Sequence, residues 1–277
     1  MNAPSNKSIK KSTNKSINKW ITYLAPVLVF AVVATVWHVV VVWLKIPSII
    51  LPSPIAVMKA LWLERLVLLK ASWVTLQAAA MGLLCSAVLG SLIAIVFSQS
   101  SLLRVALYPY VIFLQTVPIV AIAPLLIIWS GNNFRTIVLV ATIISIFPVI
   151  ANVTSGLLSI NENLRELFRM QSATRWQMLT KLRIPAAVPQ LVLGLRISSG
   201  LSVIGAIVAE FFVGNSGEYD GLGTIMTARQ ANLKTAELIA ALMACTCLGI
   251  LLFACVNLLG ATLLRRWTRT SGFESDK

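Results

Sequence analysis

Apolar residues along the chain gather into six long runs, roughly 21–44, 71–97, 105–129, 134–157, 187–213 and 236–264. A helix crossing a bilayer needs about 20 mostly apolar residues, and each run reaches that length. The pattern predicts an all-α polytopic membrane protein with six transmembrane helices. Only Ser130-Gly131-Asn132-Asn133 separates the third run from the fourth, so those two helices form a tight hairpin. Pro118, Pro124 and Pro148 sit inside runs, and each removes a backbone donor, so bends or breaks are expected there. The segment 46–70 is less apolar. Its Leu51-Pro52-Ser53-Pro54 reads as a turn, and 55–69, with Lys59, Glu64 and Arg65, as a short helix on the outer surface. The chain therefore divides into a disordered basic tail over 1–19, a six-span domain over 20–265 and a C-terminal tail over 266–277. The first run exceeds a signal-peptide core of about 7–15 residues and lacks a small-residue cleavage site, so it reads as a retained span.

Composition supports this picture. Of the 277 residues 58% are hydrophobic, and the mean hydropathy is +0.87; a soluble domain has about 45–50% apolar residues. The 23 basic residues against 9 acidic ones give a formal charge of +14. In a soluble protein that balance points to nucleic acid. Here the bases lie between apolar runs, where they set topology and meet anionic headgroups, so no nucleic-acid partner is expected. One side of the membrane receives five lysines before the first span, Arg104, five bases between 165 and 183, and four at the C-terminus. The other side receives seven. The excess places both termini in the cytoplasm. Cys85, Cys245, Cys247 and Cys255 lie in apolar runs without metal-ligand spacing, and read as small hydrophobes packed between helices.

One inside loop is long. Over 159–185, Ser159-Ile-Asn-Glu162 and Asn163-Leu-Arg-Glu166 each have the form of a helix start, and Leu164, Leu167 and Phe168 share a face. A second apolar stripe follows at Trp176, Leu179 and Leu182, with Thr174 placed to cap it and Pro185 to end it. Such a basic helical hairpin either rests on headgroups or docks into a partner; the chemistry leaves both open.

The stretch Glu166-Leu-Phe-Arg-Met-Gln-Ser172, nine further residues, then Leu182-Arg-Ile-Pro185 resembles the EAA loop of binding-protein-dependent ABC importer permeases. Phe113-Leu-Gln-Thr-Val-Pro118, Ala123-Pro124-Leu125, Arg183-Ile-Pro-Ala-Ala-Val-Pro189, Gly194-Leu-Arg196, Ile207-Val-Ala-Glu210 and Gly221-Leu-Gly223 resemble the nitrate, sulfonate, taurine and pyrimidine-precursor branch. The likeness runs over about 50–265. It implies a type I importer permease in the bacterial inner membrane, working as a homodimer with two ABC ATPase subunits and a periplasmic solute-binding protein. It further implies that 159–185 carries the coupling helix, with Glu166, Leu167, Phe168, Ser172, Trp176 and Pro185 at the ATPase contact. Two positions depart from the pattern. Phe168 replaces an alanine. Ser172 replaces a glycine that would take a left-handed turn at no steric cost. The substrate expectation is a small solute, leaning to a heterocycle or vitamin precursor ahead of sulfonate or nitrate. A stand-alone secondary transporter or channel is the rival.

Within the membrane, Glu210 is either a gate or pathway carboxylate, or the structural partner of a base or of backbone amides near the outer loop. Gln115 and Thr116, just before Pro118, either line a pathway or hold helices together. Arg196 lies too far along the fifth span to reach Glu210 and reads as snorkelling or capping carbonyls near the cytoplasmic face. The glycine-rich 214–223 lacks the Lys-Ser/Thr ending of a phosphate loop. With no Walker motif, no metal-ligand cluster and no nucleophile–base pair, no catalytic residue, metal or cofactor is expected in this chain, and ATP would be bound by the partner.

Overall fold

The computed structural model describes residues 6–213 and 220–270, with side chains over 25–213 and 220–264. All regular structure among these residues is helical. α1 (Asn6–Trp43) leads to the short α2 (Pro54–Leu63), where the Ser53 hydroxyl accepts the Ala56 N–H at 3.3 Å. α3 (Arg65–Gln99), α4 (Ser101–Thr116), α5 (Ile119–Ser130) and α6 (Phe134–Leu158) follow. α7 (Glu162–Met170) and α8 (Arg175–Met178) make the loop hairpin, and a π-helical turn, Leu179–Arg183, joins it to α9 (Ile184–Val213). α10 (Leu222–Ala231) and α11 (Thr235–Thr270) complete the chain. Five helical stretches are long and apolar enough to cross a membrane: Ala25–Trp43, Arg65–Gln99, Phe134–Leu158, Arg175–Val213 and Thr235–Leu264. α4 and α5 form a sixth if counted as one bent span.

Several boundaries differ from those the sequence suggested. The backbone of 6–19 is helical, not a disordered tail; it has no Pro or Gly and extends a helix already nucleated by the apolar run. Residues 1–5 lie outside the described residues. The outer helix stops at Leu63, and Arg65–Lys70 begins α3 instead. The C-terminal tail expected from 266 starts as the end of α11, which runs to Thr270; 271–277 lie outside the described residues. Ser159 does not cap the loop helix. It closes α6, and Asn161 caps α7 through a 3.0 Å bond from the Asn163 N–H. Pro185 does not end a helix either. It sits at the second position of α9, behind the π-turn, whose wider ring of backbone bonds leaves room for a residue without an N–H.

The core is built on α3, α6 and α9. Gly82 of α3 and Gly205 of α9 both lie against Ala141 of α6: a Cβ on either would come within 2.5 Å of the Ala141 Cβ or 2.7 Å of its Cα, respectively. Small residues at such crossings let helix backbones approach where apolar burial gives no drive for association. Hydroxyls in this interior turn back onto carbonyls, as Ser145 does to Ala141 at 2.6 Å, while Ser198 reaches the Ser145 carbonyl at 2.6 Å. The α5–α6 hairpin is tight as expected. Gly131 takes φ +84°, and Asn133 accepts the Thr136 N–H at 3.2 Å. Of the cysteines, Cys245 is buried and Cys85 half-buried, as packing residues would be; Cys247 and Cys255 are exposed on α11 instead, facing outward from the chain.

Candidate functional site

The loop hairpin is held by local backbone chemistry. α7 ends in paired bonds, Ser172 N–H to the Arg169 carbonyl at 2.9 Å and Ala173 N–H to the Phe168 carbonyl at 3.0 Å. That is a Schellman ending, which needs a left-handed residue after the cap. Ser172 supplies it at φ 54°, so serine keeps the turn that glycine would make freely. Thr174 then starts α8 with a reciprocal capping box, accepting the Gln177 N–H at 3.2 Å while the Gln177 side chain accepts the Thr174 N–H at 2.9 Å. Glu166, Leu167, Ser172 and Trp176 are exposed on this hairpin, whereas Phe168 and Pro185 are half-buried. Leu164, Leu167 and Met170 form an uncovered apolar stripe, and Met170 is 85% exposed. Sequence reasoning missed Met170, which extends the Leu164/Leu167 stripe on the side away from Phe168. The hairpin is tied to the membrane domain by Leu179, which is buried, and by Arg183, whose Nη1 donates to the Ser98 carbonyl at 2.7 Å.

At the opposite end of α9, Glu210 is wholly buried. The Thr75 hydroxyl of α3 lies 2.9 and 3.0 Å from its two carboxylate oxygens, and the Gly223 N–H donates to Oε2 at 2.8 Å. Thr75 in turn accepts the Leu222 N–H at 2.9 Å. The first turn of α10 has unpaired N–H groups and a partial positive charge, so a carboxylate there serves as an N-cap supplied by another helix. The two flanking glycines admit it. A Cβ on Gly221 would lie 2.1 Å from Glu210 Oε1, and one on Gly223 would lie 2.5 Å from the Ile207 carbonyl. The contacts of Glu210 are thus with one backbone amide, that of Gly223, and with the Thr75 hydroxyl. Thr75 was not singled out by sequence; no local signal links residues 135 positions apart. Residues 214–219 of the glycine-rich loop lie outside the described residues.

Beside this joint an ionic cluster ties the end of α2 to α10 and α11. Arg229 of α10 places Nη2 2.7 Å from Glu64 Oε1 and Nε 2.9 Å from Glu237 Oε2, and Lys234 lies 3.1 Å from Glu237 Oε1. The Nε contact is an ion pair without hydrogen-bond alignment. Burial, and then the neighbouring Glu237, push the Glu64 carboxyl above its usual range, against the pull of Arg229.

The third feature is an elbow. α4 and α5 meet at 99° across Val117 and Pro118. Gln115, Thr116 and Pro118 are exposed on the chain there, and the Thr116 hydroxyl turns back to the Phe113 carbonyl at 2.9 Å. Irregular backbone at membrane depth persists only where protein or water meets it. The elbow, the loop hairpin and the Glu210 joint are thus three separate places, not one pocket. Among the described residues there is no metal-binding cluster of His, Cys, Asp or Glu.

Comparison with known proteins gives a consistent result. Residues 86–269 match the model of the family described as binding-protein-dependent transport system inner membrane component. The chain is 32% identical over 242 residues to the formylaminopyrimidine transport permease protein ThiX of Halalkalibacterium halodurans, covering 87% of this chain and 95% of that one. It is 32% identical over 223 residues to the riboflavin transport system permease protein RibX of Chloroflexus aurantiacus, covering 80% and 81%. To the putative aliphatic sulfonates transport permease protein SsuC of Bacillus subtilis it is 29% identical over 263 residues, covering 93% and 92%. Among solved structures, an inward-facing MetNI methionine ABC transporter matches with a TM-score of 0.58 at 18% identity, over 72% of this chain and 95% of that one, which is a likeness of fold.

Proposed function

The chain belongs to the family of binding-protein-dependent transport system inner membrane components, and on that premise we propose that two copies enclose the substrate pathway of an ATP-driven importer. In this reading two ATPase subunits, which bind the ATP, seat the loops 159–185, and a periplasmic binding protein delivers solute to the outer face. Both termini lie in the cytoplasm.

The observation that carries the coupling assignment is the apolar stripe Leu164, Leu167 and Met170 beside Trp176, exposed on a hairpin that is otherwise tightly capped. Apolar side chains at helical spacing, left uncovered on a rigid element, suit a groove in a protein partner. Glu166, exposed on the same helix, adds a charge to that contact, Ser172 sets its turn, and Phe168 and Pro185 support it from behind. The elbow at Gln115, Thr116 and Pro118 is assigned to the pathway, because broken helices mark the binding segments of many transporters. A second copy and the water of the pathway would cover it. Glu210 acts here by holding α10, the outer gate element, to α3 and α9.

For the substrate we favour a small heterocycle or vitamin precursor. Two relatives named for such solutes, a formylaminopyrimidine and riboflavin, are both 32% identical to this chain. Sulfonate is the next choice, from the 29% match.

The test is reconstitution in proteoliposomes with the ATPase and binding protein encoded beside this chain. Loaded binding protein should stimulate ATP hydrolysis severalfold, and Glu166→Arg should abolish the stimulation while the complex still forms. Hydrolysis indifferent to binding protein, or an ATPase that never associates, would sink the assignment.

A further inference from the structure

Between the end of α3 and the α7–α8 hairpin lies a cavity of about 380 Å³. Four guanidinium side chains line it: Arg165 and Arg169 of α7, Arg175 at the start of α8, and Arg183 in the π-turn. None of the lining residues is acidic. Their charge is little answered within the chain. Arg183 donates to a neutral carbonyl, that of Ser98. Arg165 reaches Glu162 at 3.3 Å across exposed surface, and its own Nε is buried without a partner. Four like charges around one cavity repel, and the guanidinium fork fits phosphate oxygens two at a time. At about 30 Å³ for each water, the space holds on the order of a dozen waters, enough for a phosphate ester.

Next to it is a second cavity of about 410 Å³, sharing Gln99 and Arg175. Apart from these two and Ser100 its lining is apolar, with Ile95 and Val96 of α3, Leu103 of α4, and Trp176 and Leu179 from the hairpin. We propose that the two cavities together hold one anionic phospholipid, its phosphate among the four arginines and part of an acyl chain against Ile95, Val96, Leu103 and Leu179. A free phosphate would answer the charge and leave the apolar cavity without an occupant; a phospholipid fills both. The ends of α3 and α9 bring the site to the level where headgroups stand. The anionic lipids of the inner leaflet are the source, and this rests on the cytoplasmic placement of the loop proposed above. The bound lipid would brace the hairpin against α3, so the stiffness of the coupling element would follow the lipid composition of the membrane.

The experiment uses the full purified chain without any ATPase, so it does not depend on coupling. Native mass spectrometry would count phosphatidylglycerol retained against phosphatidylcholine from mixed micelles. The native chain should retain phosphatidylglycerol preferentially, and the pair Arg169→Gln and Arg175→Gln should lower that retention at least tenfold. The pair Lys59→Gln and Arg135→Gln, the same loss of two charges on the other side, should leave it unchanged. An equal fall with that outer pair would reduce the effect to net charge and overturn the site. Displacement by millimolar inorganic phosphate would reassign the site to the free ion and overturn the lipid. Unchanged retention in the double variant, with ATPase co-purification lost instead, would give the arginines to the protein partner and also overturn it. Labelling of Gln171→Cys by a membrane-impermeant maleimide tests the topology itself: reaction from the periplasmic side would overturn the cytoplasmic placement, and with it the inner-leaflet source of the lipid.

Discussion

Glu210, Thr75 and Gly221 behave as one unit at the scale of single residues. The carboxylate caps a helix that belongs to another part of the chain, and the threonine hydroxyl both donates to it and accepts the Leu222 N–H. Replacing Thr75 with Val keeps the shape and leaves buried partners unmet, at a cost of about 1–3 kcal/mol. Thr75→Ser should recover most of that loss, since it keeps the oxygen. Gly221→Ala should cost a similar amount, about 1–3 kcal/mol, because a methyl has no room beside Oε1. Thermal unfolding of the purified chain, followed by tryptophan fluorescence, checks all three. An unshifted midpoint for Thr75→Val would mean that the hydroxyl is dispensable to the joint.

The elements explain what was readable from the chain and what was not. All the apolar runs were long enough to announce helices, and Ser130-Gly131-Asn132-Asn133 announced the hairpin between α5 and α6. Pro118 was expected to bend or break its helix, and the break is there at 99°. Pro185 misled, because its effect depends on the π-turn before it, and no residue in Leu179–Arg183 advertises a wider turn. Ser159 and Asn161 compete as caps two residues apart, which sequence pattern does not resolve. The Glu210 joint was half visible: the carboxylate and the Gly-Leu-Gly were apparent, the threonine that joins them was not. At Ser172 the pattern showed where a glycine would make a left-handed turn, and serine makes that turn. Its left-handed φ of 54° costs a residue with a Cβ about 1–2 kcal/mol. Ser172→Gly should therefore stabilise the hairpin by about 1 kcal/mol, seen as slower hydrogen exchange at the Ala173 amide. Faster exchange there would show that serine contributes more through its side chain than it loses in strain.

Across the whole molecule, the ionic cluster around Arg229 joins the α2–α3 corner to α10 and α11 through a single guanidinium. Arg229→Met should lower the unfolding midpoint at neutral pH, where Glu64 and Glu237 then face each other charged. The Glu64 carboxyl is already raised in the folded chain, so its protonated form is the one that folding favours. Its contribution is complete below the ordinary carboxylate range and fades as pH rises through its folded value. The gap between variant and native midpoints should thus narrow as the medium is acidified; a gap that widened would place the repulsion elsewhere. The longest continuous piece, Arg175–Val213, has 39 residues. At about 1.5 Å per residue it measures about 58 Å, nearly twice a hydrocarbon core of about 30 Å. Among the glycines of α9 the tightest contact, Gly205 on Ala141, lies close to one end. Taken as a lever with its fulcrum there, the rod has an arm of about 45 Å toward the hairpin and about 7.5 Å toward Glu210. Such a lever trades stroke for force by roughly sixfold: a shift of several ångströms where an ATPase would push reaches the carboxylate as less than one, delivered with correspondingly greater thrust. Hydrogen bonds of 2.8 to 3.0 Å are the kind of latch that a movement so short and so forceful can open.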